Sequence, residues 1–455
     1  MFDTLLPRPV SVTPAPGTCP WPSSVDVRLA DLPAEGYRLE ISPSGVVLFA
    51  GDAAGEFYGR QTLRQLVGPD AFRAASIHSG LTIPCGVVED HPRFGWRGCL
   101  LDVARHFRTK AEVLRFVDLL AAHKLNVLNL HLTDDQGWRF EVPEFPRLTS
   151  VGGWRPSSMA GSGGAQDGRP HGGFYTGDDL REIVAYAAAR AITVVPEIDV
   201  PGHARAALAA YPSLGTEEAY EVWTAWGIST SLLSPASATS DFFRTVFDHL
   251  LEIFPSPVIA LGGDETPGAT DEHREFVRLL AEHLVARGRT PMGWDEVLDI
   301  GGLPPMVIGA WRHEAAGLRA ASDGHDVVLC PEQHVYLDHR QSEHPDEPIP
   351  VGMPHTIEDV YAYEPALTGP RLRGVQAQVW SEHLDSVRRV DYMAFPRLSA
   401  FAEVAWSSGP RDYAEFLPRL RDHHLPRLDA LGVEYRPLAG PLPWQTRPGV
   451  PGRPR

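Results

Sequence analysis

A repeated alternation of short apolar segments with amphipathic ones, from Phe94 onward, constrains the fold of this chain most. Eight segments have the composition of buried strands, and most are followed by apolar residues at helical spacing. The predicted strands are residues 98–103, 126–131, 192–197, 258–262, 290–294, 306–311, 326–330 and 374–380. This repeat predicts a (β/α)8 barrel, with a doubly wound open sheet as the alternative. No GxGxxG follows the first strand, which argues against a dinucleotide-binding open sheet.

Helical spacing supports the barrel between most of these strands. The predicted helices are residues 111–124, 178–190, 271–287, 314–322 and 392–405. The segment after Cys330 is irregular and rich in proline, so we expect one barrel helix to be missing or degraded.

The first 90 residues do not show the strand–helix repeat of the rest of the chain. Proline-containing dipeptides predict an irregular start, residues 36–41 and 45–50 alternate as in a β-hairpin, and residues 55–66 have helical spacing. We therefore predict a small α+β domain, a catalytic (β/α)8 TIM barrel and a Pro-rich tail, over residues 1–90, 91–432 and 433–455.

Charge and composition narrow the possible partners. The formal net charge is −17, which argues against nucleic acid and against anionic membranes, because both select basic surfaces. The four cysteines show no CxxC spacing, so we predict neither a disulfide framework nor a zinc site. Because the sequence has neither a signal peptide pattern nor about 18 consecutive apolar residues, we expect a cytoplasmic protein, with secretion as the alternative if a signal peptide has been removed.

Residues 157–170, SSMAGSGGAQDGRP, form a low-complexity segment between the second predicted strand and its helix. Its composition predicts a mobile loop. In a barrel, a connection from a strand to the following helix lies on the face that carries the active site.

Carboxylates and tryptophans recur where the predicted strands end, which is where barrels place functional groups. In strand order they are Arg105; Asp134 and Asp135; Asp199 and His203; Asp264 and Glu265; Trp294, Asp295 and Glu296; Trp311; Tyr336 and Asp338; Trp380 and Glu382. Aromatic faces stack on sugar rings, and carboxylates and arginine bond to hydroxyl groups. An acid beside aromatic rings has a raised pKa that suits a general acid. The set therefore predicts carbohydrate hydrolysis.

The segment 258–266, VIALGGDET, places two acids side by side at the end of a buried strand. Adjacent strand residues point in divergent directions. Asp264 and Glu265 are therefore poorly placed to act as nucleophile and acid on opposite faces of one anomeric carbon. They suit a reaction in which one protonates the leaving oxygen and the other handles a different part of the substrate.

Several motifs, in order, resemble those of family 20 glycoside hydrolases, the β-N-acetylhexosaminidases. They are WRGCLLDVARHF (96–107), LNVLNLHLTDD (125–135), VPEIDVPGH (195–203), GGDE (262–265), GWDE (293–296), YLD (336–338) and WSE (380–382). The resemblance extends over residues 93–406, and the preceding residues resemble the small domain that often precedes this barrel.

The resemblance implies an exo-acting retaining enzyme that needs no cofactor and acts on small carbohydrates such as N-acetylhexosaminides, chitooligosaccharides or glycan ends. We predict no metal site, because the sequence has no HxH or HExxH pair. The substrate's own 2-acetamido oxygen would attack the anomeric carbon and give an oxazolinium ion. Glu265 would be the general acid and base, Asp264 would hold the acetamido N–H, and Tyr336 would donate to its carbonyl oxygen. The remaining predicted site residues are Trp294, Trp311 and Trp380 as walls, Arg105, Asp338 and Glu382 at ring hydroxyls, and Asp134 and His203 behind Glu265.

One departure from the family concerns a pocket tryptophan that often lies between the last two motifs. Residues 339–379 contain none, so either Tyr361 or Tyr363 replaces it or the pocket is more open there. Three alternatives remain open on the sequence. They are a barrel glycosidase for sugars without an N-acetyl group, a carbohydrate-binding barrel without catalysis, and a purely structural ion pair between Arg105 and Asp102.

Overall fold

The computed structural model describes residues 2–21, 25–348 and 351–452. Its N-terminal part is a five-stranded sheet covered by the helix Ala53–Val67. In spatial order the strands are Ser11–Pro20, Thr82–Asp90, Tyr37–Ser42, Gly45–Ala50 and Asp26–Leu29. The neighbouring strands Tyr37–Ser42 and Gly45–Ala50 pair antiparallel, as the alternating pattern predicted.

The expected irregular start is wrong, because Ser11–Pro20 is a ten-residue strand. It lies at the edge of the sheet, and its register shifts between Pro14 and Thr18. Proline cannot donate a backbone hydrogen bond, so it fits an edge strand with an irregular register. The proline content therefore marked the position of a strand in the sheet rather than its absence.

The predicted barrel is confirmed: eight parallel strands close on themselves. They are Trp96–Asp102, Val127–His131, Thr193–Glu197, Val258–Ala260, Thr290–Trp294, Val307–Ala310, Asp326–Leu329 and Leu372–Val379, hereafter the first to eighth barrel strands. Their ends differ from the predicted ones by at most two residues. All of them are rich in buried apolar side chains, which is typical of strands covered on both faces.

Helices connect the barrel strands on the outside. The longer ones are Lys110–Ala122, Gly177–Ala188, Ser237–Ile253, Asp271–Ala286, Glu314–Ser322, Val387–Ala394 and Arg397–Trp406. Shorter ones are Arg147–Ser150, Arg205–Ala210, Glu332–Val335, Ile357–Ala362, Tyr413–Arg419 and Leu425–Ala430.

Two helix predictions need correction. The helix Ser237–Ile253 was not predicted, although it buries Phe243, Val246, Phe247 and Leu250 on one face. The single helix predicted over 392–405 is two helices that meet at Pro396, whose missing N–H cannot continue a helix. In the described residues of the irregular segment after Cys330, which leave out 349–350, the helices are the two short ones Glu332–Val335 and Ile357–Ala362.

A buried charged cluster joins the N-terminal sheet to the barrel. Lys124 pairs with Asp90 at 2.9 Å, and the indole of Trp406 donates to the same carboxylate at 3.0 Å. A buried pair of this kind is costly to break from one side only, so it fixes the sheet against the barrel.

Two further properties of the described residues concern cysteine and membranes. Cys19, Cys85, Cys99 and Cys330 are all buried free thiols. Among the helices of the described part of the chain, none is long and apolar enough to cross a membrane.

Candidate active site

A cleft of about 410 Å³ opens at the carboxyl ends of the barrel strands. Nine of the eleven predicted site residues line it: Arg105, Asp264, Glu265, Trp294, Trp311, Tyr336, Asp338, Trp380 and Glu382. The other two, Asp134 and His203, are buried and lie behind this wall, where they contact Arg105 and the acid pair. The strand-end pattern therefore located one cleft and the shell that supports it.

The backbone turns sharply where the fourth barrel strand ends. Gly262 and Gly263 have positive φ angles of 73° and 92°. A Cβ atom on Gly262 would lie 1.8 Å from Oδ1 of Asp199, so only glycine fits there. Glu265 also has a positive φ, 46°, which is uncommon for a residue with a side chain. This turn separates the two acids, because Asp264 is buried whereas the side chain of Glu265 is 32% exposed.

Asp264 shares its surroundings with a second buried acid, Asp199. Burial and the neighbouring Asp264 carboxylate raise the pKa of Asp199 well above its ordinary value. Burial also raises the pKa of Asp264, which has Asp199 as a hydrogen-bond partner. The N–H of Gly263 donates to Asp199 at 3.2 Å. Two acids that repel in this way retain a proton between them, so Asp199 can donate that proton to an ionised Asp264.

One oxygen of Asp264 is left without a partner. Its Oδ1 is buried and accepts no hydrogen bond from any described residue. Buried polar atoms are usually paired, because an unpaired one costs about 1–3 kcal/mol. Since Asp264 also lines the cleft, this oxygen suits a donor that arrives with a ligand.

His203 connects the acid pair to a charged network beneath it. Its Nε2 lies 3.5 Å from Oε2 of Glu265 and 3.7 Å from Oδ2 of Asp264. Its Nδ1 lies 3.2 Å from Oδ1 of Asp134. Burial alone would lower the pKa of His203, but the carboxylates of Asp134 and Asp264 raise it well above the ordinary value. A protonated imidazole therefore lies beside Glu265.

Arg105 balances the charge of Asp134. Its guanidinium lies 2.9 Å from Asp134 and 3.5 Å from Asp102, and its Cζ is 5.0 Å from the ring centre of Trp380. Arg105 therefore forms the structural ion pair with Asp102 and also lines the cleft. Burial alone would raise the pKa of Asp134, but Arg105 and His203 hold this pKa well below its usual range.

A second histidine extends this network to the third barrel strand. His131 lies 2.7 Å from Asp134 through Nε2 and 3.3 Å from Glu197 through Nδ1. These carboxylates overcome the effect of burial and raise the pKa of His131 to about 10. Glu197 also accepts the indole N–H of Trp294 at 3.0 Å, so the network orients an aromatic wall of the cleft.

Aromatic rings enclose the part of the cleft next to Asp264. The rings of Trp294 and Trp380 are 6.1 Å apart, and Tyr336 lies 6.2 Å from Trp311 and 6.4 Å from Trp380. The indole of Trp311 donates to Glu296 at 3.0 Å. Burial and the nearby Asp264 raise the pKa of Glu296 to about 7. The four rings form a box with an acid at its edge.

On the opposite side of the cleft, Asp338 and Glu382 add further carboxylates. Burial raises the pKa of Asp338 to about 6. Its Oδ1 is buried and unpaired within the described residues, like that of Asp264. The cleft therefore offers acceptors at two separate places, which suits a ligand with several N–H and O–H groups.

Several side chains that line the cleft were not predicted, and two predicted replacements lie elsewhere. Tyr361 and Tyr363 do not replace the absent tryptophan in the cleft. Both are buried elsewhere: Tyr361 donates to Glu403, and Tyr363 stacks on His334. The cleft is lined instead by side chains that no strand-end pattern indicated, namely Trp226, Ile228, Glu332, His339 and Val351.

Histidines and acids in this region also come close enough to share a cation. Ligand atoms within 4.8 Å of one another occur in three overlapping groups: His131, Glu197 and Asp199; Asp134, Asp135 and His203; and Asp199, His203 and Asp264. The carboxylates in these groups raise the pKa of His131 to about 10 and the pKa of His203 well above its ordinary value, so both histidines form ion pairs with their acidic neighbours. The arrangement is that of an ion-pair network.

Comparison with known proteins agrees with this geometry. The model of the glycosyl hydrolase family 20 catalytic domain matches residues 94–273 and 266–409, and the model of the family's domain 2 matches residues 6–91. A β-N-acetylhexosaminidase from Cellulomonas fimi is 38% identical over 471 residues, which cover 99% of this chain and 90% of that protein.

Two further relatives extend the comparison. A β-hexosaminidase from Porphyromonas gingivalis is 37% identical over 448 residues, which cover 92% of this chain but only 56% of that protein. The chain thus spans little more than half of that relative. A solved structure of a mutant Streptomyces plicatus β-hexosaminidase in complex with the product GlcNAc superposes with a TM-score of 0.86 at 31% identity, covering 97% of this chain and 98% of that one. The motifs, the barrel and these matches agree that the chain is a glycoside hydrolase and belongs to family 20.

Proposed function

We propose that this glycoside hydrolase is an exo-acting β-N-acetylhexosaminidase that removes terminal β-linked GlcNAc or GalNAc with retention, by substrate-assisted catalysis. The observation that carries the proposal is the unpaired Oδ1 of Asp264 at the edge of the aromatic box. A carboxylate placed there can accept the N–H of a 2-acetamido group while the rings of Trp294 and Trp380 enclose its methyl group.

The first step moves a proton and closes a ring. Glu265, the more exposed acid, gives its proton to the glycosidic oxygen while the acetamido oxygen attacks the anomeric carbon. The bond to the leaving group breaks, and an oxazolinium ion forms within the substrate. The carboxylate of Asp264 stabilises the positive charge on the ring nitrogen, and Tyr336 donates to the acetamido oxygen and orients it.

The second step restores the acid. Glu265, now ionised beside the protonated His203, removes a proton from water, and this water opens the oxazolinium ring from the side that the leaving group left. Two inversions at one carbon give net retention. Asp134 holds the imidazole of His203 in place beside Glu265.

The residues that would bind the sugar ring lie on the far side of the cleft. Arg105, Asp338 and Glu382 would bond to ring hydroxyl groups, and Trp380 would support the apolar face of the sugar. The aromatic box next to Asp264 would then hold only the acetamido group.

Release of 4-nitrophenol from 4-nitrophenyl β-N-acetylglucosaminide tests the activity. We expect turnover on this substrate and on the GalNAc analogue, and at least about 100-fold lower kcat/KM on the β-glucoside, because the acetamido nucleophile is absent from it. A folded protein that binds the sugar without turnover would support a binding barrel instead. Equal turnover of the β-glucoside would support a glycosidase with an enzyme nucleophile.

Two further measurements test the mechanism. A thiazoline analogue of the oxazolinium ion should inhibit more tightly than GlcNAc, because it resembles the intermediate. Proton NMR of the first product should show the β-anomer; the α-anomer would contradict retention.

A further inference from the structure

We propose that Trp226 is a specificity-determining residue that closes the cleft beyond C4 of the bound sugar, and that the low-complexity loop 157–170 positions it. The inference rests on the proposed function, because it takes the sugar to lie with its glycosidic bond at the acid pair. Trp226 lines the cleft, although it lies in an irregular segment and follows no barrel strand directly.

The neighbours of Trp226 show which end of the cleft it occupies. Its ring centre lies 5.2 Å from that of His106 and 6.1 Å from that of His383. These histidines directly follow Arg105 and Glu382, the residues assigned to ring hydroxyls. In a pyranose ring, C4 lies across from C1, so the end with Arg105 and Glu382 faces C4 when C1 is at Glu265. The indole therefore forms a wall at the non-reducing end.

The loop 157–170 holds this indole by a specific hydrogen bond. Trp226 Nε1 donates to the carbonyl oxygen of Met159 at 2.7 Å, and the N–H of Met159 donates to the carbonyl oxygen of Thr224 at 2.8 Å. The buried guanidinium of Arg155 lies 5.4 Å from the indole ring centre and donates to Ser158 at 2.9 Å. The loop that composition predicts to be mobile thus makes directed contacts with the wall residue.

The tip of the same loop packs against the end of the described chain. The N–H of Ser162 donates to the carbonyl oxygen of Pro451 at 2.9 Å. A Cβ atom on Gly161 would lie 2.2 Å from that oxygen, and one on Gly163 would lie 2.8 Å from Cγ of Pro451. At these two positions the glycines allow a close approach that a side chain would prevent. Residues far apart in sequence therefore support the position of Trp226.

The consequence is selection against sugars that carry a group on O4. The indole is only 8% exposed and is fixed on its far side by Met159, so it cannot move aside easily. Crowding one extra methyl group against a packed wall is expected to lower kcat/KM by about 5- to 150-fold. This wall would restrict the enzyme to unsubstituted non-reducing ends.

The test compares 4-nitrophenyl β-N-acetylglucosaminide with its 4-O-methyl derivative. In the wild type we expect the 4-O-methyl substrate to have the lower kcat/KM, by the factor above. In Trp226→Ala the kcat/KM ratio of the two substrates should fall by at least about fivefold from the wild-type ratio, because the space beyond O4 is then open. The part of the ratio that comes from the lost O4–H donor to Asp338 or Glu382 should remain. Trp444→Ala is the matched control, since Trp444 is exposed and outside the cleft, and it should keep the wild-type ratio.

Two more variants keep the test decisive if Trp226→Ala does not fold. Trp226→Phe retains a ring but loses the donor to Met159, and a chain that ends at Gly449 loses the contact with Ser162. Both should show a ratio between those of the wild type and Trp226→Ala. A wild-type ratio in a folded, active Trp226 variant would overturn the role of the indole, and one in the shortened chain would overturn the role of the loop. If the wild type does not hydrolyse the unsubstituted 4-nitrophenyl β-N-acetylglucosaminide at all, the proposed function is refuted instead.

Discussion

Replacing Asp199 tests whether the buried pair of acids works as described. Asp199 holds a proton and donates it to Asp264, so Asp199→Asn keeps a neutral donor of the same shape at that position. Asp199→Ala removes the donor. A hydrogen bond to a charged group contributes about 1.5–3 kcal/mol, so we expect kcat/KM to fall by about 10- to 150-fold in the alanine variant. The asparagine variant should stay within about tenfold of the wild type.

The same proton gives a pH-dependent effect on stability. The pKa of Asp199 is higher in the folded than in the unfolded chain because of burial and Asp264. Above the unfolded pKa, about 3.9, the unfolded chain releases a proton that the folded chain retains, so wild-type stability is lost as the pH rises through this window. Asparagine does not titrate. The free energy of unfolding of Asp199→Asn, relative to that of the wild type, should therefore increase as the pH rises from about 4 to about 7.

Kinetics with 4-nitrophenyl β-N-acetylglucosaminide and urea unfolding at both pH values measure these effects. Asp391→Asn is the control, because Asp391 is also buried but pairs with Arg115 at 2.8 Å, away from the acid pair. It should lose stability and keep kcat/KM. If Asp199→Asn is as inactive as a variant of Glu265, then Asp199 acts as a carboxylate and the shared proton is refuted.

Three further predictions concern other parts of the site. Glu265→Gln and Asp264→Asn should each lower kcat by orders of magnitude, since a general acid alone contributes about 10²–10⁴-fold, and near-normal rates would contradict the assigned roles. Glu296→Gln removes a carboxyl whose pKa of about 7 exceeds its unfolded value, so thermal unfolding should show the variant gaining stability on the wild type from pH 5 to pH 8. Tyr361→Phe loses the bond to Glu403 and should cost about 1–3 kcal/mol in unfolding free energy with KM unchanged, whereas a raised KM would place Tyr361 in the cleft after all.

The barrel could be predicted because each strand is a short apolar run that ends in a polar or glycine-rich turn. The eight runs needed no knowledge of their partners, since parallel strands buried on both faces are apolar throughout. The helix Ser237–Ile253 was predictable in the same way, because Phe243, Val246, Phe247 and Leu250 are spaced as on a helix face. The sequence therefore contains the spacing that indicates this helix, although the helix was not predicted.

Side chains at strand ends could be predicted as a group, but their partners could not. The contact of Asp264 with Asp199 depends on the turn at Gly262, where the backbone adopts a positive φ. The role of Trp226 depends on a hydrogen bond to Met159, 67 residues earlier in the chain. Contacts of this kind come from the path of loops, and one sequence carries no local pattern for them.

The backbone itself indicates that this end of the barrel is arranged for chemistry. His203 and Glu265 both have positive φ angles, 50° and 46°, and His203 lies directly behind the carboxylate that is assigned to the glycosidic oxygen. A non-glycine residue held in such a conformation costs of order 1–3 kcal/mol. Strain of this size persists only where surrounding contacts impose it, and here Asp134 fixes His203 while the glycine turn directs Glu265. The same contacts that impose the strain bring Nε2 of His203 to 3.5 Å from the carboxylate of Glu265, so the imidazole lies beside the group that moves the proton in both steps.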